Sequence, residues 1–386
     1  MKKKIIQILC HTLNNDKDLS YYVHGNWCTR AAKSILSNSK EYQCEAWYAI
    51  RNSDRVKIFT KNKITFRLFP ATTLHPLLES FYGIISSPSL MSAIRKEDPK
   101  NCIIHFQGER GSLLHEVLTR YPNYHTVIQY HGYGQPGYLD WLEKLFITPI
   151  ERRDFPRVAH FFVHIKLRLE YLVRNLGISS FKISYHNVGV DFTKFKPRNK
   201  LKARQALKLP ANAYIMLYVG TMVKSKGLDT IIKTYKKLKH KYKNLFLLLI
   251  GARPFDPLYS QAEKAADQLL KIIDNQLLPL YYNASDVYCF YGNDKTRKYA
   301  GIGTAPTEAL ASNLNTVSTN LIHLPDKIIN TVGFIPHNEQ DFGQKIEHLI
   351  QHPTYKFNAR NAIEPYTSLS CLTEKLIATY KKIFSN

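Results

Sequence analysis

Short apolar or β-rich runs alternate with amphipathic stretches along most of the chain. Ile5 to Cys10, Cys102 to Phe106 and Thr126 to Tyr130 read as buried strands, while Thr29 to Leu36 and Ser112 to Arg120 space their apolar residues as helices do. The rhythm stops at Asp191-Phe-Thr-Lys-Phe-Lys-Pro197-Arg-Asn-Lys200, a charged stretch with a proline and no periodicity, which reads as an interdomain linker. It resumes with strands at Tyr214 to Val219, Leu245 to Ile250, Val287 to Phe290 and Thr316 to Ser318. Helices fall at Leu228 to Tyr242 and Thr307 to Ser312, and an amphipathic helix closes the chain from Leu369 to Phe384. Strands alternating with helices predict parallel α/β layers, and the interruption predicts two such halves.

Composition narrows this picture. With 386 residues, 44% of them hydrophobic, the chain has room for two cores and is not disordered, and no window approaches the roughly 18 apolar residues of a membrane-spanning helix. The basic opening, Met1 to Lys4, precedes an apolar run broken by Gln7 and lacks a small-residue cleavage site, so it reads as a first strand rather than a leader. Six scattered cysteines without a CxxC pair read as reduced core residues of a cytoplasmic protein. The net charge of +24 favours phosphate-bearing partners without choosing among them. No RNP, zinc-finger or helix-turn-helix pattern supports nucleic acid. The lysine run from Lys233 to Lys243 reads as a solvated helix face over Ile231, Ile232, Tyr235 and Leu238.

Two segments carry candidate chemistry. In Val219-Gly-Thr-Met-Val-Lys-Ser-Lys-Gly227 a strand ends at Gly220, a turn carries Lys224 and Lys226, and Gly227 opens a helix. Backbone N–H groups at a helix start beside an ammonium form an anion site, although an ordinary βα turn with solvated lysines has the same pattern. It is neither a Walker A loop nor GxGxxG. In Ala300-Gly-Ile-Gly303-Thr-Ala-Pro306-Thr-Glu308 two glycines make a tight loop and Glu308 follows within the first helical turn. There a carboxylate either accepts from a vicinal diol such as ribose or serves as a partner of the helix dipole. Asp16-Lys-Asp18 reads as a solvated turn rather than a metal site, and Arg253 as a base contact or an exposed loop residue.

With Gly189-Val-Asp191 and Phe195-Lys-Pro197 at the junction, these segments resemble the GT-B glycosyltransferases of family 4. The matches are Gly220, Val223, Lys226 and Gly227 to "VGR…KG", and Gly303, Pro306 and Glu308 to "E…FG…P.E". His105-Phe-Gln-Gly108, Gln129-Tyr-His131-Gly132, Ile250-Gly251 and Leu280 to Val287 echo further family strand ends. The resemblance implies an α/β GT-B fold of two Rossmann-like domains facing across a cleft: an acceptor-side domain over 1–195, a nucleotide-sugar-binding domain over 196–365, and a closing helix over 366–386 that packs back on the first.

It also implies a retaining glycosyltransferase that uses a nucleotide-diphosphate sugar, a glycan or lipid-linked acceptor and no metal or other cofactor. Lys226 then neutralises the diphosphate, Glu308 holds the ribose, and the amides around Gly303 and Thr304 meet phosphate oxygens. His131 sits at the sugar or acceptor, Gly25 stands in the first-domain glycine loop, and Gly220, Thr221 and Arg253 complete the donor side. Three departures stand out: Thr221 replaces the family's arginine, Ala300 replaces its first glutamate, and His24-Gly25-Asn26-Trp27 is a reduced glycine loop. Asp294 and Arg297 are candidate replacement contacts. The losses at Ala300 and Thr221 keep open a noncatalytic GT-B descendant that serves as a binding subunit. Lys61 to Phe69 and Arg152 to Arg168 mix cations with large apolar groups, which predicts docking of the first domain on an anionic membrane at the inner face.

Overall fold

The computed structural model describes residues 2–11, 13–14, 22–23, 27–73, 82–131, 143–187 and 189–385. Asp16, Asp18 and Gly25 lie outside them. The chain forms two compact units, Met1–His186 with Leu372–Asn386, and Asn187–Cys371.

In the first unit, strands β1 (Lys3–Leu9), β2 (Leu13–Asn14), β3 (Tyr42–Arg51), β4 (Lys57–Lys61), β5 (Ile64–Pro70), β6 (Thr72–Thr73), β7 (Ile85–Ser86), β8 (Cys102–Gln107), β9 (His125–Gln129), β10 (His160–Val163) and β11 (Ile183–Tyr185) follow one another. Nine of them make one sheet in the order β11-β10-β9-β8-β1-β3-β5-β4, with β2 on β3. The long apolar runs of β1 and β8 are buried throughout because helices cover both faces of a parallel sheet. The antiparallel pair of this sheet, β4 on β5, sits at the edge, where the mostly exposed side chains of Lys57–Lys61 discourage further pairing.

The closing helix, Leu369–Ser385, returns to this unit. Leu376, Tyr380 and Ile383 join the core around β1 and β3, and the Thr373 hydroxyl bonds to that of Ser34. Its tyrosine ends a buried polar chain. His131 Nε2 lies 2.6 Å from Gln107 Oε1, Gln107 Nε2 donates to Gln7 Oε1 at 2.6 Å, and Gln7 Nε2 donates to Tyr380 Oη at 3.4 Å. Tyr380 then meets His105 Nδ1 at 2.5 Å.

The second unit carries β12 (Tyr214–Val219), β13 (Leu245–Ala252), β14 (Gln268–Lys271), β15 (Val287–Phe290) and β16 (Asn315–Ser318) in the order β14-β13-β12-β15-β16. All four pairings are parallel. As read from the sequence, the Leu228–Lys241 helix buries Ile231, Ile232, Tyr235 and Leu238 under a basic outer face.

The segment read as a linker belongs to this unit's core. Phe192 and Phe195 are buried, and the Arg360 guanidinium donates to the carbonyls of both and of Ala311. Asp191 Oδ1 accepts from the Thr193 and Lys194 amides. Local hydrogen bonding replaces the periodicity that the sequence lacks there, so the first unit ends at His186 rather than at 195.

The segments behind the membrane expectation are also mostly core. Phe66, Phe69, Phe155, Phe161 and Phe162 are at most 2% exposed, so their apolar surface is spent inside the unit and is not available to lipid. Arg67 bonds to Glu45 at 2.7 Å and Arg153 to Asp154 at 2.7 Å. No helix among the described residues is long and apolar enough to cross a membrane. All six cysteines are free thiols.

Candidate functional site

In the second unit, β12 lies between β13 and β15, so successive crossovers run in opposite directions from it. The crevice beyond the carboxyl ends of strands at such a point is where parallel α/β sheets take ligands. The loops after β12 and β15 reach that place, and they carry the two segments singled out in the sequence.

After β12 the chain turns through Lys224–Lys226 and enters the Leu228–Lys241 helix at Gly227, whose φ of +73° favours glycine. A Cβ on Gly227 would fall 1.6 Å from the Tyr291 carbonyl oxygen, so the loop after β15 lies directly against the turn. Asn293 N–H donates to Ser225 O at 3.0 Å and fixes the contact. Lys224 points to solvent, whereas Lys226 is half-buried. Burial lowers the Lys226 pKa, the positive charge of Arg253 lowers it further, and Asp256 opposes both.

Thr221 supplies no cation, and its carbonyl accepts from Tyr218 Oη at 2.7 Å. Arg253 follows β13, which runs beside β12 with Val219 opposite Ile250. Gly251 permits this closeness, since a Cβ there would meet Gly220 O at 2.9 Å and its φ is +101°. Asp256, which the sequence reading did not single out, stitches the two loops together. Its Oδ2 accepts from Met222 N at 3.0 Å and from Arg253 N at 3.2 Å.

After β15, Gly301 and Gly303 adopt φ values of +66° and +81° and lead into the Thr304–Ala311 helix. No side chain caps this helix or the Leu228–Lys241 helix, which leaves amides of both first turns for an anion. Pro306 lies in the first turn but Glu308 does not. It begins the second turn, where the dipole partnership considered from sequence fades. Glu308 is buried and accepts from Tyr282 Oη at 2.9 Å. Ala300 ends the Asp294–Tyr299 helix and brings no carboxylate. Asp294 is exposed, and the Arg297 carbonyl is taken by His323 Nε2 at 2.7 Å.

In the first unit the corresponding reversal lies between β1 and β8. His131, just past β9, stacks on Trp27 at 4.4 Å between ring centroids. Burial and the neighbouring histidines, His164 first, hold its pKa well below the usual value. A neutral ring that donates from Nε2 to the Gln107 carbonyl oxygen keeps Nδ1 as an acceptor.

Glu109, two residues beyond the end of β8, escaped the sequence reading. It is 2% exposed and neither carboxylate oxygen has a hydrogen-bond partner among the described residues. Burial raises its pKa to about 7 against the pull of Arg168 and Arg110, with Glu151 acting the other way. Cys10 and Tyr130, whose own pKa values rise on burial, also feel its charge.

The native state therefore keeps this proton to higher pH than the unfolded chain does. Stability contributed by the neutral acid is lost as pH rises from about 4.5 to about 7. Glu109→Gln lacks this loss, so its stability advantage over the wild type grows by about 2–3 kcal/mol across that window. Chemical denaturation at pH 5 and pH 7.5 checks it, and a constant difference between the two proteins refutes it.

The model of the family described as glycosyl transferases group 1 matches residues 199–368. That match covers most of the second unit. Across 237 residues the chain is 29% identical to the capsular polysaccharide biosynthesis glycosyltransferase CapM of Staphylococcus aureus, covering 58% of this chain. The match spans 59% of CapM's own length. Among solved structures, sucrose-phosphate synthase from Thermosynechococcus elongatus superposes with a TM-score of 0.71 at 16% identity, over 99% of this chain and all of the other. Anabaena HepE in complex with UDP superposes with a TM-score of 0.68 at 13% identity, over 98% of this chain and 100% of its own. The fold is thus the α/β GT-B fold.

Proposed function

We propose that the protein is a retaining, metal-independent glycosyltransferase. In this reading the second unit holds a nucleoside diphosphate sugar and the first presents a glycan or lipid-linked acceptor. One observation carries it: Lys226, two uncapped helix starts and the buried Glu308 all belong to the segments that follow β12 and β15, where the strand order reverses. Transfer breaks the bond between the anomeric carbon and a diphosphate oxygen, which keeps the electron pair. An acceptor hydroxyl oxygen forms the new bond and releases its proton. Lys226 and the helix amides stabilise the charge that grows on the leaving diphosphate.

CapM's name supports a polysaccharide acceptor, and the UDP in HepE supports a uridine donor. Cationic side chains at the diphosphate do the electrostatic work of a metal, so EDTA leaves transfer unchanged. A noncatalytic binding subunit is the second reading, favoured by Ala300, where the resemblance expects a glutamate. Donor-dependent product formation separates the two.

A thermal-shift screen with UDP, GDP and ADP tests donor binding, since a ligand at 100 times its Kd stabilises by about 2.7 kcal/mol. No shift with any of them overturns the reading. In the same screen Glu308→Gln weakens nucleoside diphosphate binding and leaves the ligand-free Tm nearly unchanged, because the amide oxygen can still accept from Tyr282. A large loss of ligand-free stability identifies Glu308 as a structural residue instead.

A further inference from the structure

We propose that Arg253 binds the donor diphosphate together with Lys226 and does not serve the base. The inference rests on the nucleotide-sugar reading but arises from different observations. The loops after β12 and β13 are held as one body by the Asp256 carboxylate, and by Leu258 N–H donating to Met222 O at 3.0 Å. Within it Arg253 Nε is buried with no hydrogen-bond partner among the described residues. An unpaired guanidinium N–H is costly to bury, which marks a place where an acceptor belongs.

The Asp256 carboxylate does not supply that acceptor. Asp256 turns an oxygen to the amides of Met222 and Arg253, and neither Arg253 nor Lys226 forms a salt bridge among the described residues. Lys226 feels the positive charge of Arg253 more than the negative charge of Asp256, so the pair favours an anion with more than one charge. The Arg253 guanidinium lies 5.6 Å from the Phe255 ring centroid, a contact that steadies the planar fork for two phosphate oxygens. A diphosphate fits this pair better than an uncharged base, and the second cation absent at Thr221 is supplied from the next strand's loop.

Isothermal titration of the full chain decides the matter, with inorganic pyrophosphate, with UDP, GDP and ADP, and with the three nucleosides as probes. Arg253→Ala is expected to lose about 10- to 100-fold in affinity for pyrophosphate and for the nucleoside diphosphate that binds, with nucleoside affinity unchanged. Arg253→Lys keeps only part of the affinity, since an ammonium lacks the fork, and Thr221→Arg restores part of it in the Arg253→Ala background. Equal losses for diphosphate and nucleoside, or no loss, overturn the proposal. Arginine-dependent pyrophosphate binding without any nucleotide binding upholds the anion site and defeats the nucleotide-sugar reading; failure to bind any probe defeats both. Should Arg253→Ala not fold, the Arg253→Lys and Arg253→Gln pair decides by the same contrast.

Discussion

Lys226→Ala lowers the turnover of sugar transfer by about 10² to 10³, and lowers donor affinity much less. The charge on the leaving diphosphate grows toward the transition state, so a preorganised ammonium contributes most there. The lysine is half-buried beside Arg253, in a turn fixed by Asn293 and Gly227, so its position costs little at the moment of reaction. Thr221 contributes no charge to this turn. The neighbouring Arg253 argues for a loss inside this range rather than beyond it. Lys224→Ala is the control, since that side chain is exposed and only two residues away. Steady-state assays with the donor found by the thermal-shift screen separate kcat from KM. Retention of more than about a tenth of the wild-type rate, or a larger effect at Lys224, removes Lys226 from the diphosphate.

Gly227→Ala is expected to cost about 2–4 kcal/mol of stability and to abolish nucleoside diphosphate binding. Two penalties coincide at this position. The left-handed φ of +73° strains any residue with a Cβ, and that Cβ would stand 1.6 Å from the Tyr291 carbonyl oxygen. A backbone oxygen cannot rotate away as a side chain can, so the loops after β12 and β15 must separate. Their separation breaks the Asn293–Ser225 bond and displaces Lys226. Calorimetry should record a Tm lowered by roughly 5 to 15 °C. A change under about 2 °C with intact binding would mean that the two loops adjust freely and do not define the site.

Much of this molecule follows from local pattern. The apolar runs of β12 and β15, Tyr214–Val219 and Val287–Phe290, and the helix Ser112–Arg120 stand where hydrophobic spacing puts them. Parallel strands buried on both faces leave that mark in sequence. The glycines at 227, 301 and 303 are legible for a related reason, because turns into helices at positive φ restrict residue choice. The apparent linker was misread because Phe192, Phe195 and the Asp191 turn are held by Arg360, far along the chain, and by their own hydrogen bonds rather than by periodicity. The aromatic and basic segments of the first unit were misread as surface because composition does not say which face of a strand is covered.

By itself, then, the sequence determined the α/β class, the positions of several strands and helices, and the segments after β12 and β15 that bear Lys226 and Glu308, since each depends on residues near one another in the chain. Tertiary structure alone decided that Glu308 rests on Tyr282, that Asp256 ties Arg253 to the loop of Lys226, and that Tyr380 of the last helix completes a polar chain to His131. It also decided that Glu109 is buried with no partner among the described residues. These contacts join residues from separate strands and helices, and strand order sets which of them meet. Hydrophobic spacing records which face of an element is covered but not which element covers it, so the partners of a buried charge are not legible until the sheet is assembled.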